Sequence, residues 1–366
     1  MKNVLVTGGA GFIGSHLVDR LLTEGHRVTV LDNFNSSYDP AIKRQNISAH
    51  RDNENFKLIE VDIRDRSAFE ACHGSRFDAI VHLAGRGGVR SSIDDPAEYY
   101  DVNVLGTQNL LEFARLAHIP QFVFASSSSV YGVNPHVPWC EDDSALRPIS
   151  PYAASKMSGE LLGHVYSHLY GIRFLALRFF TAYGPRSRPD LAIRRFAGLM
   201  LLMRPIAMYG DGASRRDYTY VSDIVDGIRS AIDYDATKYE AINLGNNQTV
   251  GLKEMILALE TVSGLKAKVI CETDQPGDVP QTCADIRKAR TLLRYEPRVS
   301  FQDGIRQFYH WLIESRNIGA ELDGVKTTQV AGLVNSLHGA VERLPVDGMV
   351  ESTMFDSNLQ PATYPV

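Results

Sequence analysis

The sequence predicts an α/β protein, a doubly wound parallel sheet with a second, smaller α/β unit, and three observations lead there. Short β-rich apolar runs alternate with stretches of helical spacing, which calls for a parallel sheet with helices on both faces. A glycine-rich turn, TGGAGFIG at residues 7–14, separates the first run from the first helix. The second run ends on an acid, Asp32.

The elements follow in order. The run at residues 2–7 stops at Gly8 and Gly9. Residues 12–23 then place Ile13, Leu17, Leu21 and Leu22 on one side of a helix. Residues 27–31 are β-rich, and further β-like runs occupy 57–61, 79–83, 121–125, 174–179 and 241–244. Right-handed crossovers make such a series doubly wound. From Phe180 the rhythm changes, with excursions rich in Pro, Gly, Arg and Asp at 181–219 and 264–285. The last helix is expected at 301–315. The expected division is a dinucleotide-binding domain at 1–180 with returns near 219–248, a substrate-binding domain at 181–218 and 249–316, and an extension without assigned role at 317–366.

Composition narrows the function classes. The chain has 366 residues, 44% of them hydrophobic, enough for a large core. A net charge of −5 gives no global basic field, which argues against a nucleic-acid binder. The four cysteines are scattered, without metal-ligand spacing, so no metal is expected and a reducing compartment fits. The N-terminal apolar run is too short for a signal peptide, and no long uncharged apolar segment occurs. A cytoplasmic protein without a membrane span is the expectation.

The turn carries the first chemistry. Gly9, Gly11 and Gly14 satisfy a dinucleotide fingerprint, and Gly8, Gly11 and Gly14 a three-apart variant. Such glycines permit a tight turn and close approach of backbone to a pyrophosphate, while the helix start offers free N–H groups. Asp32 stands near the ~20-residue offset of a ribose-binding acid, which favours NAD over NADP. Asp62 and Ile63 follow the third run, where they either meet the adenine or simply close a strand.

The second chemistry lies in SPYAASK, which puts Tyr152 and Lys156 on one face of a helix. A free tyrosine has a pKa of about 10, too high for a base at neutral pH. A neighbouring ammonium and a positive nicotinamide ring would lower it. Upstream, SSSSVYG offers a serine hydroxyl to orient a substrate hydroxyl.

These motifs resemble the extended short-chain dehydrogenase/reductase superfamily, whose cofactor domain is a Rossmann fold. HLAGRGGVRSS (82–92), NVLGT (103–107), RFFTAYGP (178–185), RRDYTYVSDIV (215–225) and QPGDVPQTCADIRKA (275–289) narrow the likeness to nucleotide-sugar epimerases. SPYAASK and RFFTAYGPRSRPD are most similar to the bacterial and plant UDP-glucuronate 4-epimerases. The resemblance implies an isomerase with tightly bound NAD, a UDP-sugar substrate and a homodimer formed through the helices at 103–117 and 152–170. It implies Tyr152 as base, Lys156 as its partner and Ser127 as the helping hydroxyl, with Ser126 and Ser128 as close rivals. It places Gly8, Gly11, Phe12, Ile13, Gly14, Asp32, Asn33, Asp62, Ile63, Leu83, Ala84, Gly85 and Asn103 at the cofactor. It places Arg90, Ser128, Thr181, Arg188, Arg216 and Asp278 at the substrate, Arg216 on the diphosphate and Asp278 on the uridine ribose.

The arginine-rich stretch 178–195 raises a further question: which guanidinium meets the C6 carboxylate of a glucuronate. Arg186 and Arg188 are the candidates, Arg188 with Thr181 favoured by resemblance. Arg178 is expected to be a buried structural residue, and Arg194 and Arg195 to lie on a helix surface, from which one could reach a phosphate. Decarboxylases and dehydratases of the superfamily carry a glutamate directly before Val-Tyr-Gly, and dehydratases an aspartate before that. Here those positions are Ser128 and Ser129, which favours C4 epimerisation of UDP-glucuronate to UDP-galacturonate. A 4-epimerase of UDP-glucose or a UDP-pentose, or a UDP-glucuronate decarboxylase, is the alternative.

Overall fold

The structure, a computed structural model, describes residues 1–72, 74–143, 146–273 and 279–315. In chain order the strands are β1 (Asn3–Thr7), β2 (Arg27–Asp32), β3 (Phe56–Glu60), β4 (Ala79–His82), β5 (Gln121–Ser127), β6 (Arg173–Phe179), β7 (Thr181–Tyr183), β8 (Ile206–Tyr209), β9 (Arg215–Arg216), β10 (Tyr218–Tyr220), β11 (Tyr239–Leu244), β12 (Val250–Gly251) and β13 (Val269–Glu272). The helices are α1 (Phe12–Thr23), α2 (Pro40–Asn46), α3 (Val89–Asp94), α4 (Pro96–Tyr100), α5 (Gly106–Leu116), α6 (Pro151–Tyr170), α7 (Ala192–Leu201), α8 (Val221–Asp233), α9 (Leu252–Ser263), α10 (Arg287–Leu293) and α11 (Phe301–Glu314).

Seven strands form one parallel sheet in the order β11-β6-β5-β4-β1-β2-β3. The doubly wound sheet expected from the sequence is therefore present. Its central strands are buried on both faces, which is why they read as continuous apolar runs rather than alternating ones. Val4 and Val6 of β1 join a core with Leu17 and Leu21 of α1 and Ile224 and Ile228 of α8. Leu5, between them, points the other way, into a core with Leu110 of α5, Phe122 and Phe174. A third apolar cluster gathers Ile193, Phe196, Met200, Met255, Ile305 and Phe308, all from beyond residue 180. Around it lie the three short pairs, β7 with β10, β8 with β13 and β9 with β12.

The strand order reverses between β1 and β4, so the loops leaving them diverge and open a crevice at the carboxyl edge of the sheet. β5 runs on through Ser127 rather than ending at Ala125, because its register with β6 continues through Ser126–Arg178 and Ser127–Phe179. Among the described residues no helix is long and apolar enough to cross a membrane, and no cluster of His, Cys, Asp and Glu is placed to hold a metal ion.

Candidate active site

The cofactor end grows from the turn after β1. Gly8 takes φ +69°, and a Cβ there would come within 2.6 Å of the Ala84 nitrogen. The turn can therefore sit against the loop leaving β4 only with glycine at this position. Helix α1 begins at Phe12 with Gly11 as its N-cap and no side-chain cap, so its first-turn N–H groups, Phe12 and Ile13 among them, meet no capping side chain. Asp32 closes β2 and is buried. Its carboxylate accepts the Ala10 N–H at 3.1 Å and the Phe34 N–H at 2.9 Å, which fixes its direction, while burial raises its pKa. A free helix start beside an oriented acid is a donor set that fits a dinucleotide: N–H groups for the pyrophosphate, the carboxylate for ribose hydroxyls.

The neighbouring predicted residues assemble around this turn. Asn33 donates to Asp62 at 3.0 Å, and Asp62 also takes Arg64 at 2.7 Å, an ion pair that helps hold its carboxyl near 2. Ile63 is buried against Gly106. The Leu83 N–H donates to the Thr7 carbonyl and the Ala84 N–H to the Thr7 hydroxyl, which ties the ends of β4 and β1 together. Gly85 lies beside the Asn103 carboxamide and the Lys156 ammonium.

The reacting end is built by β5 and α6. Ser150 caps α6 by accepting the Ala153 N–H, and Pro151 occupies the first turn. Gly159 lets α6 lie directly on the Phe124 ring. That close approach brings Tyr152 near Ser127, whose hydroxyl favours the phenolate and pulls its pKa down, and which also donates to the Ser129 hydroxyl at 3.2 Å. Burial is the larger effect and leaves the phenol raised above 10.0. The Tyr99 ring packs edge-on to Tyr152, centroids 6.2 Å apart. Lys156 differs from expectation. Its ammonium donates to the Ala125 carbonyl at 2.8 Å, and burial lowers it to about 8. The cation that acts on Tyr152 is instead Arg188, which depresses the phenol pKa.

The arginines separate cleanly. Arg188 directs Nε and Nη2 to Asp190 at 3.0 and 2.9 Å, and its Nη1 lies over Gly87 in the crevice. Arg186 pairs with Asp19 of α1 at 2.7 Å. Arg178 is buried and bidentate to Glu160 at 3.0 and 2.8 Å. Arg194 corrects the sequence reading. It is buried, donates to the Ser187 carbonyl and lies over the Trp311 ring, while Arg195 is exposed. Thr181 opens β7, and Ser128 follows Ser127 directly. Arg216 donates to the carbonyls of Arg215 and Pro280. Arg90 is exposed and lies over the Tyr209 ring. Asp278, and the extension at 317–366, lie outside the described residues.

Comparison with known proteins decides the family. The profile described as GDP-mannose 4,6 dehydratase matches residues 5–308. A UDP-glucuronate 4-epimerase from Thermodesulfobacterium geofontis is 40% identical over 318 residues, 86% of this chain and 97% of that protein. UDP-glucuronate 4-epimerase 3 of Arabidopsis thaliana is 38% identical, covering 87% of this chain and 78% of its own. The chain belongs to the nucleotide-sugar epimerase family of extended short-chain dehydrogenase/reductases. Among solved epimerases, the UDP-glucuronic acid 4-epimerase of Bacillus cereus in complex with UDP-glucuronic acid and NAD superposes with a TM-score of 0.79 at 36% identity, over 86% of this chain and 99% of that one. A UDP-glucose 4-epimerase from Thermotoga maritima with UDP-glucose gives 0.79 at 30%, over 86% and 99%.

Some residues of this epimerase-family site had no signal in the sequence. Lys43 is buried within electrostatic reach of Asp32, on a helix whose pattern says nothing of a cleft. Tyr99 and Asp190 touch the site from a short helix and a loop. Arg86 stands between the cofactor loops, and no spacing in HLAGRGG sets it apart from its neighbours.

Proposed function

We propose that the chain epimerises UDP-glucuronate at C4 to UDP-galacturonate, as a nucleotide-sugar 4-epimerase that uses NAD. The observation that carries the acidic substrate is Arg188, whose Nη1 lies over Gly87 in the crevice and whose charge reaches the phenol of Tyr152. Asp190 occupies one edge of that guanidinium and fixes its plane, so that Nη1 is the arm directed into the crevice. A sugar carboxylate gives such a cation a charge-assisted partner; a neutral hydroxymethyl group does not. Thr181 at the start of β7 supplies a hydroxyl for the same carboxylate.

Bound NAD supplies the acceptor and donor of the C4 hydride. The first-turn N–H groups of α1 hold its pyrophosphate, and Asp32 its adenine ribose. Tyr152 takes the 4-OH proton and later returns it. Ser127 donates to the phenolate and steadies it. Lys156, poised near 8 and anchored on Ala125, holds the nicotinamide ribose. Arg216 anchors the diphosphate, so that the 4-keto sugar turns about its bonds to a fixed end. That intermediate is a β-keto acid, which loses CO2 when the carboxylate bond aligns with the carbonyl π system. Arg188 holds the acid out of that alignment. Ser128 and Ser129 stand where the superfamily's dehydratases carry Asp and Glu, which argues against dehydration whatever the name of the family profile.

Residues 1–180 with 219–248 are assigned to the cofactor, and 181–218 with 249–316 to the nucleotide sugar. A homodimer through α5 and α6 is part of the same proposal, since these helices expose Leu116, Leu161, Val165, Leu169 and Tyr170. A cytoplasmic setting is supported by four unpaired cysteines. The test is Arg188→Ala. The expected outcome is weaker UDP-glucuronate binding, by about tenfold or more, or leakage of UDP-pentose. Unchanged kinetics and products would remove the clamp.

A further inference from the structure

Arg86 is the first residue of the β4 loop beyond Gly85, and its side chain crosses the crevice. Nη1 donates to the Asn35 carboxamide oxygen at 2.7 Å, and Nη2 pairs with Glu98 of α4 at 2.8 Å. Both ends of this crossing are fixed. The Arg86 peptide is gripped by Asn103, which accepts its N–H at 2.7 Å and donates to its carbonyl at 3.0 Å. Asn103 also donates to Ser155 of α6 at 2.9 Å. At the far end the Asn35 carboxamide oxygen accepts the Ser37 N–H at 2.8 Å, and the Asn35 carbonyl accepts Lys43 at 2.7 Å.

Topology says what lies beneath. Asn35 belongs to the loop leaving β2 and Arg86 to the loop leaving β4, and in the sheet β1 lies between those two strands. A bond between the two loops spans the end of β1, where the glycine turn and the uncapped start of α1 lie. The crossing side chain is cationic, and its buried Nε has no hydrogen-bond partner among the described residues. A buried guanidinium donor left without a partner is costly, and an anionic oxygen satisfies it.

We infer that Arg86 is a cofactor-retaining strap, closed on Asn35 across the pyrophosphate of bound NAD and donating to it. The inference rests on the NAD reading of the glycine turn and not on the identity of the sugar. It gives an epimerase a physical means of keeping the reduced cofactor in place while the keto sugar turns.

The test measures cofactor retention rather than turnover. Bound NAD per protomer is determined on the purified holoenzyme, and its dissociation is followed by exchange with radiolabelled NAD. Wild type is expected to retain NAD through gel filtration. Arg86→Ala and Asn35→Ala are expected to release it about tenfold faster or more, with Arg86→Lys between, since one shorter donor replaces the fork. Asn35→Ala removes only the far anchor and decides the matter if Arg86→Ala fails to fold. Unchanged dissociation in the folded variants would overturn the strap, as would slower dissociation, which would mean that the side chain occupies the cofactor's own place. A wild type that binds no NAD would overturn the cofactor reading itself.

Discussion

Ser127 and Arg188 both act on one oxygen, the phenol of Tyr152, and both favour its ionised form. Burial opposes them. The balance predicts a direction. In Ser127→Ala the phenolate loses a donor, so the Tyr152 pKa rises and the ascending limb of kcat/KM moves to higher pH. At pH 7 the rate should fall by about 100-fold, measured as a pH–rate profile of the purified variant. A limb that stays in place would mean that the serine does not touch the base. The placing of Tyr152 and Lys156 on one helix face, and of the serines at the end of the β5 run, was legible because helix and strand geometry fix it. Among the arginines, Arg178 was legible as a buried structural residue and Arg195 as a surface one, while buried Arg194 was not. Arg186, Arg188 and Arg194 lie within nine residues, and their separation depends on partners far away in sequence: Asp19, the Tyr152 crevice and Trp311. The charge acting on Tyr152 also escaped the spacing rule, because Lys156 is turned to the Ala125 carbonyl.

At the scale of elements, buried polar groups hold the site's parts in register. Asp217, between β9 and β10, accepts the Asn246, Asn247 and Ala284 N–H groups and the Thr219 hydroxyl. It thus joins three loops next to Arg216. In Asp217→Asn the amide NH2 faces donors, and the expected cost is about 2–4 kcal/mol, seen as a Tm lower by about 5–10 °C. Burial pushes Asp217 up to about 6 from 3.8. A folded-state value above the unfolded one means that its stabilising contribution is complete below the unfolded value and is lost as pH rises through about 6. The Tm gap between wild type and variant should therefore narrow across that window; a constant gap would remove Asp217 as the titrating group. The boundary of β5 was missed for a related reason. Serine is a poor strand former by composition, but the Ser126 hydroxyl finds Glu160 at 2.5 Å, and Glu160 is held by Arg178. A buried partner outweighs propensity there.

For the whole molecule, the alternation of runs and helices was enough to read the parallel sheet, since a buried strand announces itself by an unbroken apolar run. The short pairs β7–β10, β8–β13 and β9–β12 gave no such signal, being two to four residues long and joined across long insertions. The exposed apolar side chains on α6 predict assembly. Leu161→Glu with Leu169→Glu should turn a dimer into a monomer by analytical ultracentrifugation; wild type sedimenting as a monomer would contradict the homodimer. The central claim, C4 epimerisation of an acidic UDP-sugar, is tested most directly by a proton NMR time course of the purified protein with UDP-glucuronate and NAD. The expected result is growth of the UDP-galacturonate anomeric signal without accumulation of NADH. UDP-xylose or a 4-keto-pentose would contradict it and make the chain a decarboxylase. No change with UDP-glucuronate, together with conversion of UDP-glucose or UDP-xylose to its C4 epimer, would contradict the carboxylate reading of Arg188.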